Sequence, residues 1–111
     1  MDKLTKDAFL KEMRAYAGKA FNGYSYFTCD TEHDVYAIID IAQLREQKIV
    51  QASLIIQLMD DFIMIHTDIN DKPLVDALVQ AGVPRDRIVL AYMGETLETS
   101  PKQMEMPSSP R

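Results

Sequence analysis

The residues with the most evident chemistry are a group of carboxylates around one histidine. Asp30, Glu32, His33 and Asp34 occupy one short segment, and Cys29 precedes them. Carboxylate, imidazole and thiolate groups are common metal ligands. However, the segment lacks the glycine and distal glutamate of a calcium loop, and it has no second His or Cys at zinc-ligand spacing. We therefore interpret it as a solvated hairpin turn and predict neither a metal nor a cofactor.

Cys29 and Asp40 are the other residues that a catalytic site could use. A cysteine nucleophile requires a base and an orienting group, and no third group can be named beside Cys29. With Asp60 and Asp61, Asp40 could supply the carboxylates of a two-metal nuclease, but no lysine stands at a useful spacing. We interpret Asp40 as a rim or interface residue and predict that the protein is not an enzyme. A phosphate-binding loop is not indicated, because the glycines lie far apart: Gly18, Gly23, Gly82 and Gly94.

The charge balance bears on the class of partner. The formal net charge is −5 and the pI is about 4.9, whereas a dedicated nucleic-acid binder usually has the opposite balance. Five of the 12 basic residues fall within the first 19 positions, but Asp2, Asp7 and Glu12 interleave with them. Arg85 and Arg87 form the other basic pair. Direct contact with DNA is therefore an alternative and not the first hypothesis.

Length and composition predict one small domain. The chain has 111 residues, of which 47% are apolar and 26% charged, as in ordinary globular proteins. A single cysteine excludes an intramolecular disulfide. No secretory signal is visible, and the longest charge-free stretch, residues 49–59, is too short to span a bilayer. These features lead us to expect a cytoplasmic protein with no membrane partner.

Two segments have helical periodicity. Over residues 5–20, apolar side chains recur at three- and four-residue spacing and form one stripe. A second helix follows Asn70 or Asp71, either of which is a candidate N-cap. Pro73 stands in its first turn, and Gly82 ends it.

Strand-like alternation accounts for most of the remaining chain. Short polar links between successive strands indicate antiparallel hairpins. The predicted fold is therefore α+β, with a mostly antiparallel sheet of about five strands and two helices packed on one face. The predicted strands cover residues 24–30, 35–41, 49–58, 62–67 and 88–92.

The sheet face opposite the helices is expected to self-associate. Alternate residues from Val35 to Ile41 form one apolar row, and alternate residues from Val50 to Leu58 form another. Both rows are apolar enough to form the core face. Large apolar residues remain for the other face, and a homodimer is the commonest way to cover such a patch. The candidate self-association face consists of Tyr36, Ile38, Ile55, Phe62 and Met64.

Composition changes near residue 94. The last 18 residues contain three of the five prolines and no aromatic residue, and they are rich in Ser and Met. We therefore predict a single α+β domain over residues 1–93 and a C-terminal tail over residues 94–111.

Several segments resemble the XisI family. They are the hairpin segment at 30–36, the strand at 50–58 with its acidic turn into 62–65, and the run Leu78–Leu90 with Gly82-Val83-Pro84 inside it. The likeness runs from about residue 1 to 92, and the Gly-Val-Pro segment is its most specific part. Members of this family are small cyanobacterial proteins named as controlling factors for excision of the fdxN DNA element.

The resemblance implies a function as well as a fold. It implies an accessory factor in the control of site-specific excision, a DNA rearrangement of heterocyst differentiation, acting through protein contacts with an XisH-like partner. No catalytic residue can be transferred from the family. Two alternatives stay open: a direct DNA-binding component of the excision complex, and a small ligand-binding protein with a pocket near Asp40, His66 or Cys29.

Overall fold

A computed structural model describes residues 1–97 of the chain. Within this part, two α-helices and six strands follow one another with short connections. Single 3-10 turns at Arg85–Arg87 and Ala91–Met93 flank the last strand. The elements are α1 (Lys3–Arg14), β1 (Gly18–Ala20), β2 (Gly23–Asp30), β3 (Val35–Leu44), β4 (Gln47–Met59), β5 (Phe62–Asp68), α2 (Leu74–Gln80) and β6 (Ile88–Leu90).

The six strands form one sheet in chain order, β1 to β6. The first five pair antiparallel, and β6 pairs parallel to β5 after the crossover through α2. The predicted α+β class, the mostly antiparallel sheet and the two helices are confirmed. The strand count differs by one, because β1 lies in a segment that was predicted to be helical.

The first helix is shorter than predicted. It begins after Asp2, whose carboxylate accepts a hydrogen bond from the Thr5 N–H at 3.0 Å, and it ends at Arg14. Gly18 has a φ of 131°, which a helix does not allow, and residues 18–20 pair with β2 instead. Within residues 1–97, no helix has both the length and the apolar character that crossing a bilayer would require.

The start of α2 uses a more distant carboxylate than predicted. Pro73 occupies the N-cap position and supplies no side-chain hydrogen bond. Asp68, at the end of β5, accepts the Leu74 N–H at 2.7 Å and also the Asn70 side-chain amide at 2.9 Å. The N-cap prediction of Asn70 or Asp71 is therefore wrong. A strand-terminal aspartate satisfies the helix from six residues upstream.

Both helices pack on the same face of the sheet. Phe9 and Met13 of α1 and Leu74 and Leu78 of α2 are fully buried. They share one cluster with a row of side chains from four strands, so this face is the core of the domain. The sheet side of that cluster consists of Tyr36, Ile38, Leu54, Ile56, Leu58, Ile63, Ile65 and Ile88.

Two residues of the predicted self-association face belong to this core. Tyr36 is 3% exposed and Ile38 is 1% exposed, and the Tyr36 ring meets Phe9 edge-on with ring centroids 5.2 Å apart. Their placement on the face opposite the helices is wrong. Alternation correctly separates the two sides of β3, but the helices cover the side with the larger side chains. The alternate residues from Val35 to Ile41, which are predicted to form the core row, lie on the other side of β3.

The Tyr36 hydroxyl gives the fold a dependence on alkaline pH. It donates a 2.9 Å hydrogen bond to Asp34, and burial, followed by this bond, raises the pKa of Tyr36 to about 12 from 10.0. The unfolded chain therefore loses this proton at lower pH than the folded protein does. The stabilisation is complete below pH 10.0 and is lost as the pH rises towards about 12.

We expect Tyr36→Phe to lower the free energy of unfolding by about 1 kcal/mol at neutral pH, because the bond to Asp34 is lost. Above pH 10.0 the variant should lose stability less steeply with pH than the parent. Burial raises the pKa of Tyr16 to about 12 as well, so a reduced slope is expected, not a flat one. Urea unfolding at neutral and strongly alkaline pH measures both effects, with exposed Tyr24→Phe as the control. Equal slopes in parent and variant would contradict this account.

Candidate functional site

The sheet face opposite the helices carries exposed aromatic and aliphatic side chains, and we call it the open face. Strand pairing defines it, because residues opposite each other in adjacent strands point to the same side. Along each strand, the side chains of the open face alternate with core side chains, so they point away from the helices. They form two rows across β2, β3 and β4: Tyr24, Ile41 and Val50 in one, and Tyr26, Ile39 and Ala52 in the next.

The most exposed aromatic side chains on the strands of the open face are a pair of tyrosines on β2. The ring centroids of Tyr24 and Tyr26 lie 4.8 Å apart. The two side chains are 45% and 48% exposed, and Val50, two strands away in the row of Tyr24, is 60% exposed. Tyrosines that expose an apolar ring beside aliphatic residues are enriched at protein interfaces, where they supply contact area with little loss of conformational entropy. This face therefore has a composition that is typical of protein interfaces.

The remaining residues of the predicted self-association face are divided in accessibility. Ile55 of β4 and Phe62 of β5 lie on the open face and are partly buried. Met64 lies there too, opposite Gln57, but is only 9% exposed. The self-association itself stays a prediction. Its proposed residues are less accessible than Tyr24 and Tyr26, which the sequence analysis did not single out.

The acidic segment forms the turn between β2 and β3. The Asp30 carboxylate accepts hydrogen bonds from the backbone N–H groups of Glu32 and His33, at 3.0 and 3.3 Å. Its second oxygen lies 2.7 Å from the His33 Nδ1, and this bond is the main reason that the pKa of Asp30 is lowered. Potential ligand atoms of Asp30, Glu32 and His33 lie within 4.8 Å of one another, and all three residues are exposed. These bonds account for the segment as a turn closed by its own aspartate.

The carboxylates considered for a nuclease are not brought together. Asp40 accepts a 2.7 Å hydrogen bond from the Ser25 hydroxyl on β2, and it pairs with Gln51 near the start of β4. Asp60 and Asp61 form the turn after β4, at the opposite end of that strand. Three carboxylates at two ends of a strand cannot share a metal ion.

The arginine pair is matched by carboxylates. The Arg85 guanidinium lies 3.2 Å from the Glu95 carboxylate and also donates to the Ile88 carbonyl oxygen at 2.7 Å. Arg87 lies 3.5 Å from Asp61. Both arginines therefore form ion pairs within the domain. These ion pairs connect the segments around β6 with each other and with the turn after β4.

Comparison with known proteins decides the family. The model of the XisI protein family matches residues 1–100. The chain belongs to the XisI family. The resemblance of the hairpin segment and of the Gly82-Val83-Pro84 run to this family is thereby confirmed. No curated protein sequence matches the chain.

Two solved structures share the XisI fold. A XisI-like protein from Anabaena variabilis ATCC 29413 has a TM-score of 0.66 at 20% identity, and the match covers 88% of this chain and 93% of that one. The fdxN element excision controlling factor XisI from the same organism has a TM-score of 0.55 at 18% identity, covering 78% of each chain. At these identities the likeness concerns the fold alone.

A Tyr→Ser substitution should lower the free energy of unfolding much less on the open face than on the core face. Tyr26→Ser on the open face should change the free energy of unfolding by no more than about 1 kcal/mol, the size of one cross-strand pair such as that of Tyr26 with Ile39. Tyr36→Ser should cost about 3–5 kcal/mol, because it leaves a cavity beside Phe9. Urea unfolding of the two variants gives both values. Similar losses in the two variants would mean that the open face is covered within the domain.

Proposed function

We propose that this XisI family member is a non-enzymatic accessory factor that controls excision of a DNA element through contacts with an XisH-like protein. The family name and the name of one structural relative, an fdxN element excision controlling factor, supply the process. The observation that carries the mode of action is the exposed tyrosine pair on the open face, Tyr24 and Tyr26.

Charge supports a protein partner over direct DNA contact. Phosphate recognition depends on unpaired Lys and Arg side chains that displace counterions. Here the net charge is −5, and Arg85 and Arg87 contact carboxylates of their own domain. A protein partner that approaches the open face meets aromatic rings and aliphatic side chains, which form the centre of typical protein interfaces.

The bonding of the candidate catalytic groups supports an accessory role. Asp40 is bonded to Ser25, and the Asp30–His33 pair closes an exposed turn. Each group therefore has a structural explanation that requires no substrate. The cytoplasmic location that the sequence predicts fits an accessory factor of DNA rearrangement and is part of this proposal.

The proposal is tested by co-expression with an XisH-like protein, followed by sizing of the purified mixture. We expect one complex with the parent protein. The double variant Tyr24→Ser/Tyr26→Ser should weaken this complex at least about tenfold, because paired aromatic anchors carry much of the energy of an interface. Leu4→Ser is the matched control, since it removes an 81% exposed apolar side chain from α1.

The outcomes distinguish the proposal from its alternative. Separate elution of the two proteins at all concentrations would overturn it. A salt-dependent mobility shift of labelled duplex DNA by this protein alone would favour the direct DNA-binding component. Loss of the complex in Leu4→Ser as well would mean that the contact is not made by the open face.

A further inference from the structure

One edge of the sheet is open along half of its longest strand. Apart from Ser53, β4 pairs with β3 from Gln47 to Gln57, but β5 pairs with β4 only from Leu54 to Met59. Residues 47–52 therefore have a neighbouring strand on one side only. Among the described residues, none supplies a backbone hydrogen bond to the second side of this segment.

The direction of the unused hydrogen-bonding groups follows from the pairing of β3. Gln43 donates its N–H to the Asn22 carbonyl oxygen, away from β4, at 2.9 Å. In an antiparallel sheet, the backbone N–H and C=O groups of successive residues bond the strands on opposite sides. The backbone groups of Ala42 therefore point to β4, and those of its partner Ile49 point to β3. The N–H and C=O groups of Lys48, Val50 and Ala52 consequently point outward from the sheet. A strand laid along this edge would find donors and acceptors ready to pair.

Both ends of the free edge are defined by the structure. At one end, the Ile69 N–H and the Asn70 side-chain amide bond the Ser53 carbonyl oxygen, at 3.0 and 3.2 Å. At the other end, the chain turns back into β3 at Arg45, which has a φ of 59°. An incoming strand therefore has room for about six residues, which is the usual length of a strand.

The segment lacks the usual protections of an exposed edge. Natural sheets guard such edges with prolines or charges. Residues 47–52 read Gln-Lys-Ile-Val-Gln-Ala, with one charge and no proline, and Val50 is 60% exposed. Among the described residues, part of β2 also lacks a second neighbour, because β1 pairs only with residues 23–25, but that free segment ends at the charged Asp30.

We propose that residues 47–52 pair antiparallel with the same residues of a second copy of the chain. The occupant is a second copy because an antiparallel edge is self-complementary about a two-fold axis, so each copy supplies the strand that the other lacks. The two six-stranded sheets then form one continuous sheet. This inference is independent of the proposed function.

The length of the free edge and its charge leave two registers. Pairing that uses the whole free edge is centred at Ile49 or at Val50, the two middle residues of the segment. The first register places Lys48 opposite Val50 of the other copy, and the second places it opposite Ala52. Both avoid the like-charge pair that a register centred on Lys48 would create.

The pairing also joins the open faces of the two copies. Tyr24, Ile41 and Val50 form a row that ends at the β4 edge. In the register centred at Val50, this row continues into the equivalent row of the second copy. The site of self-association is thus the edge of β4, whereas the sequence hypothesis had placed it on the face.

Cysteine cross-linking tests the pairing and its register. In a Cys29→Ser background, the variants Ile49→Cys and Val50→Cys place a thiol at the centre of each register. Opposite residues of an antiparallel pair have Cα atoms about 4.5–5.5 Å apart, which suits a disulfide. We expect the better of the two to give at least about tenfold more covalent dimer than Lys19→Cys, an exposed residue on the opposite edge strand β1.

A second variant removes the pairing without using sulfur chemistry. Val50→Pro deletes an N–H that points outward, so the β3–β4 ladder can be kept. We expect the parent to elute as a dimer on sizing, and Val50→Pro to elute as a monomer while its circular dichroism spectrum is retained. A monomeric parent at all concentrations, or equal cross-linking of Ile49→Cys, Val50→Cys and Lys19→Cys, would overturn the proposal.

Discussion

The pairing of β3 with β4 is the constraint on which the other elements depend. Ten registered pairs join Val35–Leu44 to β4, and a shift after Ile38 places Ser53 outside the regular register. On one side of this pair, β2 joins β3 and β1 joins β2, and on the other side β5 joins β4. The shift has a second effect, because the Ser53 carbonyl oxygen is left to bond Ile69 and Asn70 and so directs the chain away from β4. The point where β5 leaves β4, and hence the start of the free edge, lies beside this irregularity and beside a second register shift after Ile55 in the β4–β5 ladder.

Much of this architecture could be predicted from residue patterns, because strands with period-two alternation and short polar turns have few alternative arrangements. The limit lies in what alternation measures. It separates Tyr36 and Ile38 from Val35, Ala37 and Ile39, but it does not say which set the helices cover. That choice depends on how much area each set buries against Phe9 and Met13, a long-range quantity. In a sheet with apolar residues on both sides, local patterns are ambiguous on this point.

The surface is less predictable than the core. The alternation of Tyr24 and Tyr26 was visible in the sequence, yet their importance depends on the register that brings Ile41 and Val50 beside them. β1 escaped prediction because Ala17 and Ala20 continue a helical stripe that Gly18 interrupts only through its backbone angle. The XisI resemblance was recognisable from a few short segments, since the Gly82-Val83-Pro84 run combines a helix end with a strand start in a fixed spacing.

Asp68 joins two parts of the domain that are expected to differ in stability, the meander of antiparallel strands and the segment from α2 to β6. This one carboxylate bonds the first N–H of α2 and the side chain of Asn70, and β6 reaches the sheet only through that helix. The segment from α2 to β6 is therefore attached to the meander by its buried side chains in the common core, one strand pairing, the Asp68 junction and the Arg87–Asp61 ion pair. Because β6 has three residue pairs with the sheet and β3 has ten with β4, this segment is expected to open before the β3–β4 ladder does. In amide hydrogen exchange, α2 and β6 would be released together, and earlier than the β3–β4 ladder.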